Sequence, residues 1–158
     1  MKLIDFVVPG AIVANVEATD RNGVIRELVN ALASAGAIAA DDADVIARAA
    51  IQRENQGSTG FGKGVAVPHV KHAKVPRIMA ALGRSAAGVD FAALDRAPVY
   101  TIVLLLSPPD SPDAHLQAME NIFRHLQRDN FRRFLRQSET QEAILELIKE
   151  ADEAPPVA

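Results

Sequence analysis

Cysteine is missing from all 158 residues. That removes disulfides, thiol nucleophiles and cysteine-built zinc sites together, and it suits a reducing compartment. A basic excess is missing too: 17 Lys and Arg stand against 20 Asp and Glu, for a net charge of -3. A domain that holds nucleic acid by bulk charge carries the opposite balance. Long apolar runs are also lacking. The longest, Val99 to Leu106, has eight residues, a length for a buried strand rather than a membrane span. The start, MKLIDFVVPGAIVANVE, is too interrupted for a signal peptide or a transmembrane segment. The expectation is a soluble, cytoplasmic chain with no direct membrane insertion. Its 49% hydrophobic and 23% charged residues are ordinary for a globular protein, and its length fits one domain with one proper core.

Periodicity supplies the elements. Val24, Ile25, Leu28, Val29 and Leu32 recur at helical spacing between about Asp20 and Ala35, with Asp20 as cap and Gly36 as stop. A second helix, from Asp41 or Asp42 to about Asn55, is expected to bury Val45, Ile46, Ala49 and Ala50. Val65-Ala66-Val67 reads as a short strand closed by Pro68, Ile78 to Leu82 as another apolar stretch, and Val99 to Leu106 as the clearest strand. After a proline-rich turn at residues 107–113 come helices at about 114–127, 130–137 and 140–151; Thr140-Gln141-Glu142-Ala143 is only half a capping box. Alternating helices and short strands predict a single-domain α/β fold over residues 1–152, with 153–158 as a flexible tail.

The stretch GSTGFGKGVAVPH, Gly57 to His69, nearly spells a nucleotide-binding P-loop. Two features defeat that reading. Gly64 replaces the hydroxyl residue that would hold magnesium. The context is also inverted, because this loop follows a helix and enters a strand, whereas a P-loop opens a helix toward the phosphates. No nucleotide cofactor is therefore expected, although the glycines could offer backbone N–H groups to an anion.

Of the four histidines, His69 has the most suggestive setting. It follows a proline at a strand end, just past a glycine-rich loop, where an imidazole can be held rigidly and left accessible. A nucleophilic ring needs that arrangement. The pattern Glu54, six residues, Phe61-Gly62, then Val65-Ala66-Val67-Pro68-His69 resembles the phosphohistidine signature of the enzyme IIA family of the phosphoenolpyruvate-dependent sugar phosphotransferase system. The branch is the fructose–mannitol type, and Gly57-Ser58-Thr59-Gly60 looks most like its stand-alone nitrogen-regulatory members.

That resemblance implies a mixed sheet of about five strands with helices on both faces. It implies that His69 is the phosphorylated residue, that His115 is a second active-site histidine donating to the phosphoryl group, and that Arg53 stabilises phosphoryl oxygens. It further implies a phosphotransferase intermediate charged by the phosphocarrier protein HPr or its nitrogen-branch paralogue. The onward step is transfer to a IIB component or a regulatory signal to target proteins. Neither metal nor other cofactor is implied. Val70 departs from the pattern, since the family usually keeps a small residue there; a β-branched side chain is expected to stiffen the backbone and crowd the ring of His69.

Outside the signature, His69-x-x-His72 lacks a third zinc ligand, and His125 falls mid-helix as a structural or exposed residue. Phe123, Phe131 and Phe134, interleaved with Arg124, Arg128, Arg132, Arg133 and Arg136, read as a core stripe beside solvated arginines rather than a nucleic-acid face. Phe61, Val65 and Val70 are candidate docking contacts, with core burial an equal prospect for Val65.

Overall fold

The computed structural model describes residues 1–91 and 96–153, with Phe61 by backbone alone. The order is α1 (Leu3–Phe6), β1 (Val7–Val13), α2 (Arg21–Ser34), a 3₁₀ turn at Ala40–Asp42, α3 (Ala43–Asn55), β2 (Gly60–Gly62), β3 (Val65–Ala66), β4 (His69–Lys71), β5 (Met79–Val89), β6 (Val99–Ser107), α4 (Pro112–Leu126), α5 (Asp129–Gln137) and α6 (Gln141–Glu153). The apolar run of β6 lies at the middle of a mixed sheet. It is antiparallel to β5, and β1 lies parallel beyond β5. On its other side β3 runs parallel beside Thr101 and Ile102, and β4 beside Leu105 to Ser107. β2 pairs antiparallel with β3 at the edge. β3 and β4 therefore fill one position, so six short strands make the expected five-position sheet.

Pro68 causes that interruption. It has no N–H to give the ladder, yet its carbonyl still accepts from the Leu105 N–H at 3.0 Å. The chain stays in register across the break, and His69 opens a new strand instead of ending the old one.

Strand alternation sorts the side chains to two faces. Ile102, Leu104 and Leu106 join Met79 and Ala81 under α2 and α3. Val103 and Leu105 join Ala80 and Leu82 under α4, α5 and α6, with Leu3 and Phe6 of α1. Helices cover both faces, as expected. The α2 face is the predicted one, Val24, Ile25, Leu28, Val29 and Leu32. The Asp20 carboxylate accepts from Gly23 N–H at 2.7 Å. At the other end Gly36, at φ +79°, lets Ala37 N–H reach Leu32 O and its own N–H reach Ala33 O. That pair of bonds is the Schellman closure.

Several expectations are corrected. In α3 the buried set is Ala43, Ile46, Ala47, Ala50 and Glu54, whereas Val45 is exposed; the helical repeat gathers the buried positions into one stripe and puts Val45 on the far side. The stretch expected at 78–82 extends to Val89. β1 carries Pro9 and Gly10, which hid it from periodicity. The edge position tolerates both, and the register slips between Val7 and Ile12. The phenylalanine stripe is not one: Phe131 is buried, Phe123 is partly buried and Phe134 is exposed under the Arg133 guanidinium. Thr140 caps α6 by accepting from Ala143 N–H at 3.1 Å, and the reciprocal half is absent because Ala143 has no acceptor. Helix α6 runs through Glu153, and residues 154–158 lie outside the described part. Among the described residues no helix is long and apolar enough to cross a membrane.

Candidate active site

Register builds the site. His69 pairs with Leu105, Val70 with Leu106 and Lys71 with Ser107. Partners across a ladder share a face, so His69, Lys71 and Ser107 all point to the side that carries α4. There the first turn of α4 supplies His115. The rings of His69 and His115 lie with centroids 5.6 Å apart, tilted by 51°.

Each ring is held from behind. His69 Nδ1 sits 2.8 Å from the Val67 carbonyl. A carbonyl only accepts, so Nδ1 carries the proton and the neutral ring presents a bare Nε2. His115 is buried, and its Nδ1 bonds the hydroxyl of Ser107, itself fully buried.

Both pKa values are pushed down. Burial is the main cause at His69; the bond to the Val67 carbonyl pulls the other way, and the nearby Arg53 cation adds to the lowering. His115 is pushed down to about 4 by burial, then by His69 and Lys71. At neutral pH both imidazoles are uncharged.

The glycine loop is braced by a buried acid. Glu54, 1% exposed at the end of α3, accepts from Thr59 N–H at 2.6 Å and from Thr59 Oγ1 at 2.8 Å. Thr59 O in turn receives Val67 N–H at 3.3 Å, so the carboxylate steadies the carbonyl that tethers His69. Arg53, one residue earlier, is half-buried and close enough to lower the His69 pKa. Among the described residues its guanidinium reaches only Gly57 O, at 3.5 Å, so most of its donors make no recorded bond there.

The other histidines stay out. His72 Nδ1 accepts from Lys74 N–H at 3.0 Å, closing a turn. His125 is buried in the last turn of α4 beside Phe131, and its Nδ1 has no hydrogen-bond partner among the described residues. No three His, Asp or Glu among the described residues converge on a metal position.

The expected crowding by Val70 does not occur. Its side chain points to the opposite face and packs against the α2–α3 core. Val65 is core, not surface, and the Phe61 side chain lies outside what is described. Ser107 and Lys71 were not among the residues singled out from sequence; counting two residues along β4 from His69 finds Lys71, and the end of the apolar run finds Ser107.

Comparison with known proteins places the chain in a family. The profile of the family described as "Phosphoenolpyruvate-dependent sugar phosphotransferase system, EIIA 2" matches residues 6–151. The fructose-specific EIIABC component of Bacillus subtilis is 33% identical over 96% of this chain, which spans only 24% of that protein. The nitrogen regulatory protein of Pseudomonas aeruginosa is 32% identical over 94% of this chain and 95% of its own length. The crystal structure of the nitrogen regulatory protein IIA-Ntr from Neisseria meningitidis superposes with a TM-score of 0.81 at 26% identity, covering 91% of this chain and 97% of that one. With a family profile spanning nearly its whole length, this chain belongs to the type-2 EIIA family of the phosphoenolpyruvate-dependent phosphotransferase system, in a phosphocarrier or regulatory role.

Proposed function

We propose that His69 is the residue that carries the phosphoryl group, and that the observation supporting it best is the tether of its Nδ1–H to the Val67 carbonyl. That bond fixes the tautomer and aims the Nε2 lone pair outward. Nε2 attacks the phosphorus of a donor phosphohistidine on an HPr-like protein. The new N–P bond forms as the donor's N–P bond breaks, and its electron pair returns to the donor imidazole. Little covalent chemistry is asked of the protein, and positioning with charge stabilisation does the rest.

His115 supplies a neutral donor. With Ser107 O–H donating to its Nδ1, the ring proton sits on Nε2, where it can donate to a phosphoryl oxygen. Arg53 and Lys71 add positive charge on two sides, and a planar guanidinium suits phosphoryl oxygens. The onward acceptor belongs to the class of the B component that stands beside A in the name of the Bacillus subtilis relative. Attack there breaks the His69 N–P bond and returns its pair to Nε2.

A second reading follows from the nitrogen regulatory relative that matches end to end. Phosphorylation adds roughly -1.5 to -2 charges between Arg53 and Lys71. It thereby changes which proteins dock on this face, with no sugar transport involved.

Incubation with phosphoenolpyruvate, enzyme I and HPr is expected to leave an acid-labile, base-stable phosphate on the chain. His69→Ala abolishes it, whereas His115→Ala still labels but passes the group on more slowly. Full labelling of the His69 variant ends the assignment. Labelling without discharge to any B component, combined with phosphorylation-dependent capture of a defined partner, favours the regulatory reading.

A further inference from the structure

The end of the sheet opposite His69 carries a second concentration of positive charge. Helix α5 and its N-cap hold Arg128, Arg132, Arg133 and Arg136 against one Asp129, in a chain whose net charge is -3. Facing them is Lys63, in the tight β2–β3 turn, at φ +59° between Gly62 and Gly64. Between turn and helix lies a cleft of about 520 Å³ lined by Lys63, Asp129, Arg132, Arg133, Arg136 and Gln137. That volume is in the range of small-ligand sites. It is not the site already described: Gly64 O accepts from Tyr100 and Thr101 N–H near the start of β6, whereas His69 pairs with Leu105, about 13 Å further along the strand.

The guanidinia are held in place before any ligand arrives. Arg136 stacks on Tyr100 with its central carbon 3.7 Å from the ring centre. Arg132 donates to Leu126 O at 2.8 Å and pairs with Asp129. Arg133 donates to Asn130 Oδ1 at 3.0 Å and lies over Phe134. Among the described residues no carboxylate forms an ion pair with Lys63, Arg133 or Arg136. Each guanidinium has five N–H donors, so most of them remain unspent. Ordered arginines lose little side-chain entropy on binding.

We propose that this cleft binds a small anion carrying two or more phosphate groups. A single phosphate would engage one or two of the cations and leave the rest opposed to one another, whereas a di- or triphosphate spans from Lys63 to α5. An extended nucleic acid fits less well, because the chain as a whole is acidic, with a net charge of -3.

Titration of the ¹⁵N-labelled chain with sodium tripolyphosphate tests this. The expected result is saturable one-to-one binding, with amide shifts clustered at Lys63, Gly64, Tyr100 and residues 129–137, weakening as salt rises from roughly 50 to 300 mM. The pair Arg133→Gln and Arg136→Gln should lower affinity about tenfold or more; Lys63→Gln, which removes no packing, should lower it too. His69→Ala should bind like the wild type, which separates this site from the phosphoryl carrier. Shifts confined to the His69–His115 depression, unchanged affinity in the arginine and lysine variants, or the absence of saturation each overturn the proposal. So does a single-stranded oligonucleotide that binds α5 and is not displaced by tripolyphosphate.

Discussion

Ser107→Ala isolates the one feature of the site that belongs to neither histidine. The hydroxyl sits at the end of β6, fully buried, and bonds Nδ1 of His115, which is only 8% exposed. No other side chain is recorded as a hydrogen-bond partner of that nitrogen among the described residues. A neutral hydrogen bond of this kind contributes about 0.5–1.5 kcal/mol, and a buried acceptor stripped of its donor costs about 1–3 kcal/mol. The bond also biases the tautomer: a hydroxyl can accept as well as donate, but if Nδ1 carried the proton the fully buried Ser107 O–H would have no side-chain acceptor among the described residues. Removing a bias of about 1 kcal/mol lets the ring place its proton on Nδ1, where it is useless to a phosphoryl oxygen. With about 1.4 kcal/mol per factor of ten, losing that bias takes the useful tautomer from about five-sixths of the population to about half, so onward transfer should slow about twofold. The extent of His69 labelling should not change, because its own tether to Val67 is untouched. Rapid-quench transfer kinetics supply the rate and ¹⁵N shifts of the His115 ring supply the tautomer. The reasoning is refuted if the wild-type ring already carries its proton on Nδ1, or if the variant shows both wild-type rate and wild-type ring shifts.

Three further outcomes follow from the same contacts. Acidification should destabilise the fold between about pH 6.5 and 4: unfolding restores His115 to an ordinary pKa near 6.5, while the folded value is about 4. In that window the unfolded chain takes a proton that the folded chain refuses, so stability rises with pH, by at most about 3 kcal/mol. His69 and His125, also pushed down by burial, act in the same direction; a Tm unchanged between pH 7 and 5, or a His115→Gln variant with the same pH slope, contradicts this. Glu54→Gln should cost about 1–3 kcal/mol in denaturant unfolding, because an amide can offer one oxygen where the carboxylate accepts two bonds from Thr59; amide exchange at Thr59 and Val67 should quicken with it. Gly88→Ala should cost about 1–3 kcal/mol from backbone strain alone, since Gly88, in the stretch of β5 where the register shifts, has φ +93° and an added Cβ would meet Pro98 Cβ at 2.8 Å; a fully wild-type melting curve would show that this end of β5 relaxes freely.

What could be read in the sequence was whatever a single segment specifies by itself. The β6 run, the α2 stripe with its cap and stop, and the P-H dipeptide after a glycine loop all announce themselves locally. The β1 strand did not, because Pro9 and Gly10 break its alternation and only its edge position permits them. Residues that meet across the fold were equally silent. Ser107 reaches His115 because β6 ends where α4 begins its first turn, and Lys71 joins them only because β4 lies alongside β6. His125 gave no sign of burial either; its helix face is set by Phe131 and the packing of α5 and α6, not by its own neighbours in sequence.

Val70 shows how closely reactivity and packing are joined here. A branched residue next to His69 looks like an obstruction when the chain is read as a line. In the sheet its side chain points away from the ring and packs, partly buried, against the α2–α3 core beside Leu106, so the bulk that would crowd the ring instead anchors the strand that carries it. The next residue, Lys71, returns to the reactive face with a charge that lowers the pKa of both histidines. Pro68, just before, withholds a ladder hydrogen bond and so separates β4 from β3, which frees the Val67 carbonyl side of the chain to meet Nδ1. Four consecutive residues thus divide among a break, a histidine, an anchor and a cation, and strand parity alone decides which of the last three face α4.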